Sequence, residues 1–155
     1  MDAKFMRRAI ELSMENVQSN RGGPFGAVVV KNGNVIGEGA NQVLTTNDPS
    51  AHAEVVAIRE ACRKLNSFQL AGCEIYSSCE PCPRCMGLIY WARPDHLYYA
   101  NTAADAASVG FDDAFIYREL AIPPENRSLK MKQMMRDEAL IAFVAWDKKP
   151  DKIRY

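Results

Sequence analysis

The spacing of apolar residues changes period several times along the chain, and this alternation limits the fold more than any other feature. Between Ala3 and Val17 apolar side chains recur three and four positions apart, as on the buried face of a helix. Phe25 to Val30 is instead a short run rich in β-branched residues, and Asn32-Gly33 after it is typical of a hairpin turn. Helical spacing returns between Ala51 and Leu65. The pattern therefore predicts an α/β fold.

The alternation continues to the end of the chain. It predicts further strands at Cys73–Ser77, Leu97–Ala100 and Lys130–Met135, and further helices at Cys82–Ala92, Ala114–Leu120 and Glu138–Trp146. With a return strand at Val35–Ala40, the order is α-β-β-α-β-α-β-α-β-α. A hairpin followed by βαβ units predicts a mixed sheet with helices on both faces.

Size and charge limit the class of protein. The 155 residues are 48% hydrophobic, which fits one domain spanning 1–155. No apolar run approaches the roughly 18 residues of a membrane span, so no membrane partner is expected. The net charge of zero argues against nucleic acid as the main partner. The first ten residues lack the apolar segment of a secretory signal, which predicts a reducing, cytoplasmic location.

Two short motifs carry the chemistry, and each opens a predicted helix. The first is His52-Ala53-Glu54, and the second is Pro81-Cys82-Pro83-Arg84-Cys85. Cys82 and Cys85 are three apart and can face the same side of one turn. The positive end of a helix favours their thiolate form, and one histidine with two thiolates suits zinc. Three protein ligands leave a fourth position for water, as in a catalytic site.

Glu54 is the candidate general acid and base. Residues two apart in a regular helix point about 200° away from each other. His52 and Glu54 can therefore share a site only at an irregular first turn, after the loop Asn47-Asp48-Pro49-Ser50. There a carboxylate can take a proton from a metal-activated water and pass it to a substrate nitrogen.

Two other interpretations of these motifs stay open. The zinc site could be structural, with Cys79 as a fourth ligand and protein contacts as its role. Alternatively, His52 could cap a helix and the cysteines could be small buried hydrophobes. Structural zinc sites usually take a pair of ligands from each of two chain segments. Here the segment remote from the cysteines supplies only His52. The spacing favours a metal site, and Glu54 favours a catalytic one.

The two motifs match the H-x-E and P-C-x-x-C signature of zinc-dependent nucleobase deaminases. From its first helix to its terminal tyrosine, the chain resembles the bacterial guanine deaminases of the cytidine-deaminase-like superfamily. Five further stretches support the resemblance: Gly22-Gly23-Pro24-Phe25-Gly26-Ala27, Asn47-Asp48-Pro49, Ser78-Cys79-Glu80-Pro81-Cys82-Pro83, Tyr90-Trp91-Ala92-Arg93 and Gly110-Phe111-Asp112-Asp113. The last of these, with the length of the tail, points to guanine within the superfamily.

The resemblance implies a three-layer α/β/α sandwich around a mixed five-stranded sheet. It also implies a homodimer in which the C-terminal segment, residues 137–155, is exchanged between subunits and covers the partner's pocket. It further implies one Zn²⁺ per subunit, with water as the fourth ligand, and a small nucleobase as substrate. The implied reaction is the hydrolysis of guanine to xanthine and ammonia in purine catabolism.

The resemblance also implies a role for individual residues. The zinc ligands are His52, Cys82 and Cys85, the catalytic residues are Glu54 and Asp113, and the substrate contacts are Phe25, Asn41, Ala53, Asp113 and Tyr155. Several keep a second interpretation. Phe25 could belong to the core, Asn41 could be a turn residue, and Asp113 could cap a helix, with Asp112 competing for both of its roles.

Other substrates remain open at this stage. An adenosine deaminase acting on transfer RNA would share the zinc motif, and residues 130–155 carry seven basic and four acidic side chains. Guanosine, cytosine or ammeline presents an amino-substituted ring similar to that of guanine.

Overall fold

The computed structural model describes residues 1–154, and the chain divides into two compact units, 1–113 and 114–155. The first unit contains five helices and four strands among its described residues. In chain order they are α1 (Ala3–Gln18), β1 (Gly26–Lys31), β2 (Asn34–Ala40), α2 (Val43–Thr46), α3 (Ala53–Leu65), β3 (Cys73–Cys79), α4 (Pro83–Ala92), β4 (His96–Asn101) and α5 (Ala103–Ser108).

The strands form one mixed sheet in the order β2-β1-β3-β4. β1 is antiparallel to β2 and β3, whereas β3 and β4 are parallel and are joined through α4. The prediction of a mixed sheet is confirmed. The expected number of strands is wrong, because the part of the chain that the structure describes contributes four strands and not five.

The Asn32-Gly33 turn connects β1 and β2 as predicted. Asn32 and Gly33 have φ angles of 50° and 74°, both in the left-handed region that a two-residue hairpin turn requires. Lys31 pairs with Asn34 across the turn. The register then shifts by one residue between Val29 and Val30, which is a β-bulge.

Helices cover both faces of the sheet because the side chains of β1 alternate. Val28 and Val30 pack with Phe5 and Ala9 of α1 on one face. Ala27 and Val29 point to the other face, into the cluster formed with α3 and α4, whose members from these helices are Ala53, Ala57, Ile58, Ala61, Ile89 and Ala92. The predicted three-layer α/β/α sandwich is confirmed.

Helix α3 lies unusually close to strand β2 at two glycines. A Cβ atom on Gly39 would lie 2.2 Å from the carbonyl oxygen of Ala53, and one on Gly37 would lie 2.3 Å from that of Ala57. Only glycine permits such an approach of helix backbone to strand. The contact fixes the position of the first turn of α3, which carries Glu54 and directly follows His52.

Residues 114–154 contain α6 (Ala114–Ala121), a 3₁₀ turn (Pro124–Asn126) and α7 (Arg136–Lys148). The strand predicted at Lys130–Met135 is wrong, since these residues have no regular structure. None of the six is β-branched or aromatic, so their preference for extended structure is weak. No residue from 114 to 154 is buried.

Two short helices, α2 and α5, were not predicted from the sequence. The hydroxyl of Thr102 accepts from the backbone N–H of Asp105, whose carboxylate accepts from the backbone N–H of Thr102. This capping box was a readable signal for α5. The four-residue α2 is too short for an apolar period to reveal it.

No helix within residues 1–154 combines the length and the apolar character that crossing a membrane requires. The longest, α1, has 16 residues, and Asp2 caps it by accepting from the backbone N–H of Lys4.

We predict that Gly39→Ala lowers the free energy of unfolding by about 1–3 kcal/mol, because the new methyl group would overlap the backbone of α3. Gly87→Ala is the matched control, since a Cβ there meets no atom within 4 Å and the residue lies inside α4. That variant should gain about 0.5–1 kcal/mol. Urea denaturation at fixed zinc concentration measures both. Equal stability of Gly39→Ala and the parent chain would contradict the close packing.

Candidate metal centre

The two sequence motifs meet where the N-termini of α3 and α4 converge. His52 immediately precedes α3 with an extended backbone (φ −71°, ψ 160°), and Cys82 precedes α4 in almost the same conformation (φ −63°, ψ 165°). Cys85 lies in the first turn of α4. The irregular start that the sequence analysis required for His52 and Glu54 is therefore present.

His52, Cys82 and Cys85 form a compact set of ligand atoms. The Sγ atoms of Cys82 and Cys85 each lie 3.5 Å from Nδ1 of His52, and all three atoms lie within 4.8 Å of one another. Zinc bonds of about 2.3 Å to sulfur and 2.0–2.1 Å to nitrogen, at a tetrahedral angle, place such atoms about 3.6 Å apart. The donor set and its spacing therefore fit zinc.

A hydrogen bond ties the two helix starts together. The guanidinium Nη1 of Arg84, in the first turn of α4, donates to the carbonyl oxygen of Pro49, 2.6 Å away, in the loop before α3. That loop is itself shaped by Asp48, whose carboxylate accepts from the N–H of Ser50 at 2.7 Å. These contacts fix the position of His52 relative to Cys82.

The thiols of Cys82 and Cys85 have pKa values that are shifted in opposite directions. The hydrogen bond with Cys85 lowers the pKa of Cys82 against the opposing effect of burial, and His52 adds to the lowering. The same hydrogen bond, together with burial, raises the pKa of Cys85. One thiolate is thus favoured at Cys82, and a bound metal cation would deprotonate its second thiol ligand as well.

Glu54 lies beside the ligands and is 7% exposed. Its Oε2 accepts from the thiol of Cys85 at 3.6 Å, and its Oε1 accepts from the hydroxyl of Ser77 at 3.5 Å. Burial raises the pKa of the Glu54 carboxyl above its ordinary value, which makes it a stronger base. Ser77 was not predicted as a site residue, because no local sequence pattern links β3 to α3.

Cys79 lies outside the cluster. Its thiol donates to the carbonyl oxygen of Thr102 at 3.6 Å, and burial raises its pKa to about 11. Among residues 1–154, the cluster of potential metal ligands consists of His52, Cys82 and Cys85. The four-ligand structural site with Cys79 therefore gains no support from the geometry.

An aromatic pair joins the loop before β1 to the segment that follows α5. The half-buried ring of Phe25 meets the ring of Phe111 edge to face, with centroids 4.9 Å apart and planes at 88°. A Cβ on Gly23 would lie 3.2 Å from both rings. Phe111 was not among the predicted site residues, although it lies in the Gly110–Asp113 stretch that the sequence analysis singled out.

Asn41 follows β2 and is 7% exposed. Its Oδ1 accepts from the N–H of Val43 at 3.2 Å, which is the behaviour of a turn residue. Its own N–H donates to the carbonyl oxygen of Phe25 at 3.1 Å. The structure thus brings Asn41 and Phe25 together, and it buries Ala53 completely in the first turn of α3.

Asp113 is half-buried at the end of the first unit, whereas Asp112 is exposed. Burial is the main cause that raises the pKa of Asp113, and the negative charge of Cys82 raises it further. Asp113 therefore lies within electrostatic range of Cys82. Tyr155, the last predicted contact, lies outside the described residues.

The chain is similar in sequence and in structure to known deaminases. The family described as the cytidine and deoxycytidylate deaminase zinc-binding region matches residues 1–101. The guanine deaminase of Bacillus subtilis is 52% identical over 151 residues, which is 97% of each chain. A crystal structure of guanine deaminase from Bacillus subtilis superposes with a TM-score of 0.97 at 51% identity, covering 100% of this chain and 99% of that one. A tRNA-specific adenosine deaminase of Aquifex aeolicus is 36% identical over 116 residues, 75% of this chain and 74% of its own.

We predict that Cys82→Ser abolishes retention of zinc, whereas Cys79→Ser retains it. Loss of a ligand should weaken binding by more than the roughly 10–100-fold that loss of a hydrogen-bonding partner behind a ligand costs. Elemental analysis after dialysis against a weak chelator measures the zinc content. Loss of zinc from Cys79→Ser as well would instead support the four-ligand structural site.

Proposed function

Because this chain belongs to the cytidine and deoxycytidylate deaminase family, whose members depend on zinc, we propose that it hydrolyses guanine to xanthine and ammonia. The choice of guanine as the substrate rests on how much of the chain one relative matches. The guanine deaminase of Bacillus subtilis matches 97% of the chain, so the match extends well beyond the zinc-binding region that ends at residue 101. The tRNA-specific adenosine deaminase of Aquifex aeolicus matches 75%, which makes transfer RNA the weaker alternative.

His52, Cys82 and Cys85 hold one zinc ion per chain in this proposal, with water as the fourth ligand. Their mutual distances support it. When bound, zinc supplies a Lewis acid that lowers the pKa of water to about 7.

Glu54 moves the protons. It accepts one from the attacking water, donates it to N3 of guanine while C2 is attacked, and then assists the departure of the amine. Its burial supports this role, because burial raises the pKa of the carboxyl and so makes Glu54 a better proton acceptor than a free carboxylate. Ser77 holds one oxygen of the carboxyl through its hydroxyl, leaving the other on the side of Cys85.

The remaining predicted residues bind the purine. Phe25 stacks on the ring, the Asn41 carboxamide pairs with its polar edge, and Ala53 forms the wall beside His52. Asp113 accepts from the 2-amino group and serves as a second proton carrier. The charge interaction between Asp113 and Cys82 supports its place near the reacting carbon. Tyr155 closes the pocket in this proposal.

The working enzyme is a homodimer that exchanges residues 137–155, in a cytoplasmic compartment. The large apolar side chains of residues 114–154 support the dimer, because they are exposed and need a covering surface; among them are Ile141 (69%), Phe143 (73%) and Met134 (75%). The five free cysteines fit the reducing cytoplasm.

We predict that Glu54→Gln lowers guanine turnover by roughly 10²–10⁴-fold, because it removes the proton carrier while keeping the shape of the side chain. Zinc content should not change. Glu60→Gln is the matched control on the same helix; its carboxylate accepts from the N–H of Glu38 in β2. Turnover at the parent rate in Glu54→Gln would overturn the mechanism.

The substrate is tested by release of xanthine and ammonia from guanine, with cytosine, guanosine, adenine and ammeline assayed in parallel. We expect turnover of guanine at the highest kcat/KM. Faster release of ammonia from another base would keep the zinc chemistry and replace the substrate. If no ammonia is released from any of these bases and transfer RNA is deaminated, the tRNA alternative would be favoured.

The exchange of the C-terminal segment is tested by complementation. One chain carries Glu54→Gln with an intact tail, and the other keeps Glu54 but lacks residues 147–155. Each homodimer should be nearly inactive. In an exchanged heterodimer, one pocket receives both an intact Glu54 and an intact tail, so activity should reappear after mixing and refolding. No recovery would contradict the exchange.

A further inference from the structure

Asn16 of α1 is the most completely buried polar residue that the catalytic proposal does not use, with 1% of its surface exposed. Its side-chain Nδ2 donates two hydrogen bonds, one to the carbonyl oxygen of Gly23 and one to that of Asn41, both at 2.9 Å. One carboxamide thus contacts two separate chain segments. These are the loop before β1 and the residue that follows β2.

The two bonds from Asn16 complete a closed ring of four. The Gly23 carbonyl also accepts from the N–H of Phe25 at 2.8 Å, and the Phe25 carbonyl accepts from the N–H of Asn41 at 3.1 Å. The Asn41 carbonyl returns to Nδ2 of Asn16. Every backbone polar group of Phe25 and Asn41 therefore takes part in a ring that this one side chain closes.

Space around the ring is tight. A Cβ on Gly22 would lie 2.6 Å from the Asn41 carbonyl oxygen and 3.1 Å from Nδ2 of Asn16. Removal of the Asn16 carboxamide would leave the buried Asn41 carbonyl oxygen without this donor, which is costly, and would leave the Gly23 carbonyl with the N–H of Phe25. The chain around Phe25 and Asn41 would then move to recover hydrogen bonds.

We propose that Asn16 is a positioning residue, whose carboxamide locks the Phe25 and Asn41 segments into the arrangement that accepts the substrate ring. The inference rests on the proposed deamination of guanine, because that proposal makes Phe25 the stacking residue and Asn41 the edge-pairing residue. Asn16 acts through the backbone of both and does not touch substrate. It affects binding and leaves the metal and Glu54 untouched, since its hydrogen bonds reach neither.

The test uses Asn16→Leu, which keeps the volume without the donors, and Asn16→Ser, which is smaller and has one hydroxyl donor. Ser13→Ala is the control on the same helix; Ser13 is 8% exposed and its hydroxyl donates to Ile10 within α1. In the zinc-loaded enzyme we expect KM for guanine to rise about tenfold in both Asn16 variants, with kcat within about twofold of the parent. Zinc content should stay the same, and Ser13→Ala should match the parent in KM.

Backbone amide exchange provides a second measurement that needs no substrate. The N–H groups of Phe25 and Asn41 should exchange at least about tenfold faster in Asn16→Ser than in Ser13→Ala. An unchanged KM in the Asn16 variants, or a fall in kcat and zinc content at unchanged KM, would overturn the proposal. If the parent enzyme does not turn over guanine, the proposed function fails, and exchange alone then decides whether Asn16 holds the two segments. Unchanged exchange in both Asn16 variants would refute that role.

Discussion

The close contact of α3 with β2 is the constraint on which the rest of the site depends. Gly39 allows the carbonyl oxygen of Ala53 to approach the strand to a distance that no side chain would permit. The start of α3 is therefore held against the sheet, with His52 in an extended conformation before it and Glu54 in its first turn. Two residues that a regular helix would point apart can then serve one site.

The N-terminus of α4 determines how readily the thiols of the site ionise. Cys82 and Cys85 lie at the N-terminus of α4, where the helix dipole favours negative charge, and a hydrogen bond between them lowers the pKa of Cys82. The nearby carboxyl of Glu54 has the opposite tendency, because burial raises its pKa. A site that combines one easily ionised thiol, Cys82, with a carboxyl whose ionisation is opposed by burial is suited to bind a cation and to move protons beside it.

The wall that faces the substrate in our proposal has a different physical origin. It is made of loop segments, which have no helix or strand of their own to hold them. A ring of four hydrogen bonds that passes through Phe25 and Asn41 supplies this order, and a buried side chain of α1 closes it. The two halves of the site are thus held independently, the metal half by helix packing and the substrate half by buried polar contacts.

Much of this protein followed from local sequence. The period of apolar residues predicted α1, α3 and the central strands, Asn32-Gly33 predicted the hairpin, and the two motifs predicted which residues cluster. These features depend on neighbours a few positions apart. The strand predicted at Lys130–Met135 was wrong, because an alternating apolar pattern does not form a strand without β-branched residues or a neighbouring strand to pair with.

The contacts of Ser77 with Glu54, of Phe111 with Phe25 and of Asn16 with Asn41 were decided only by the tertiary structure. Each joins residues 23 to 86 positions apart, and no short-range pattern encodes such a pair. The sequence by itself thus determined which chemical groups are present and which helix starts carry them. Packing decided the distances, the burial and the hydrogen-bond partners, because these arise only when separate elements meet.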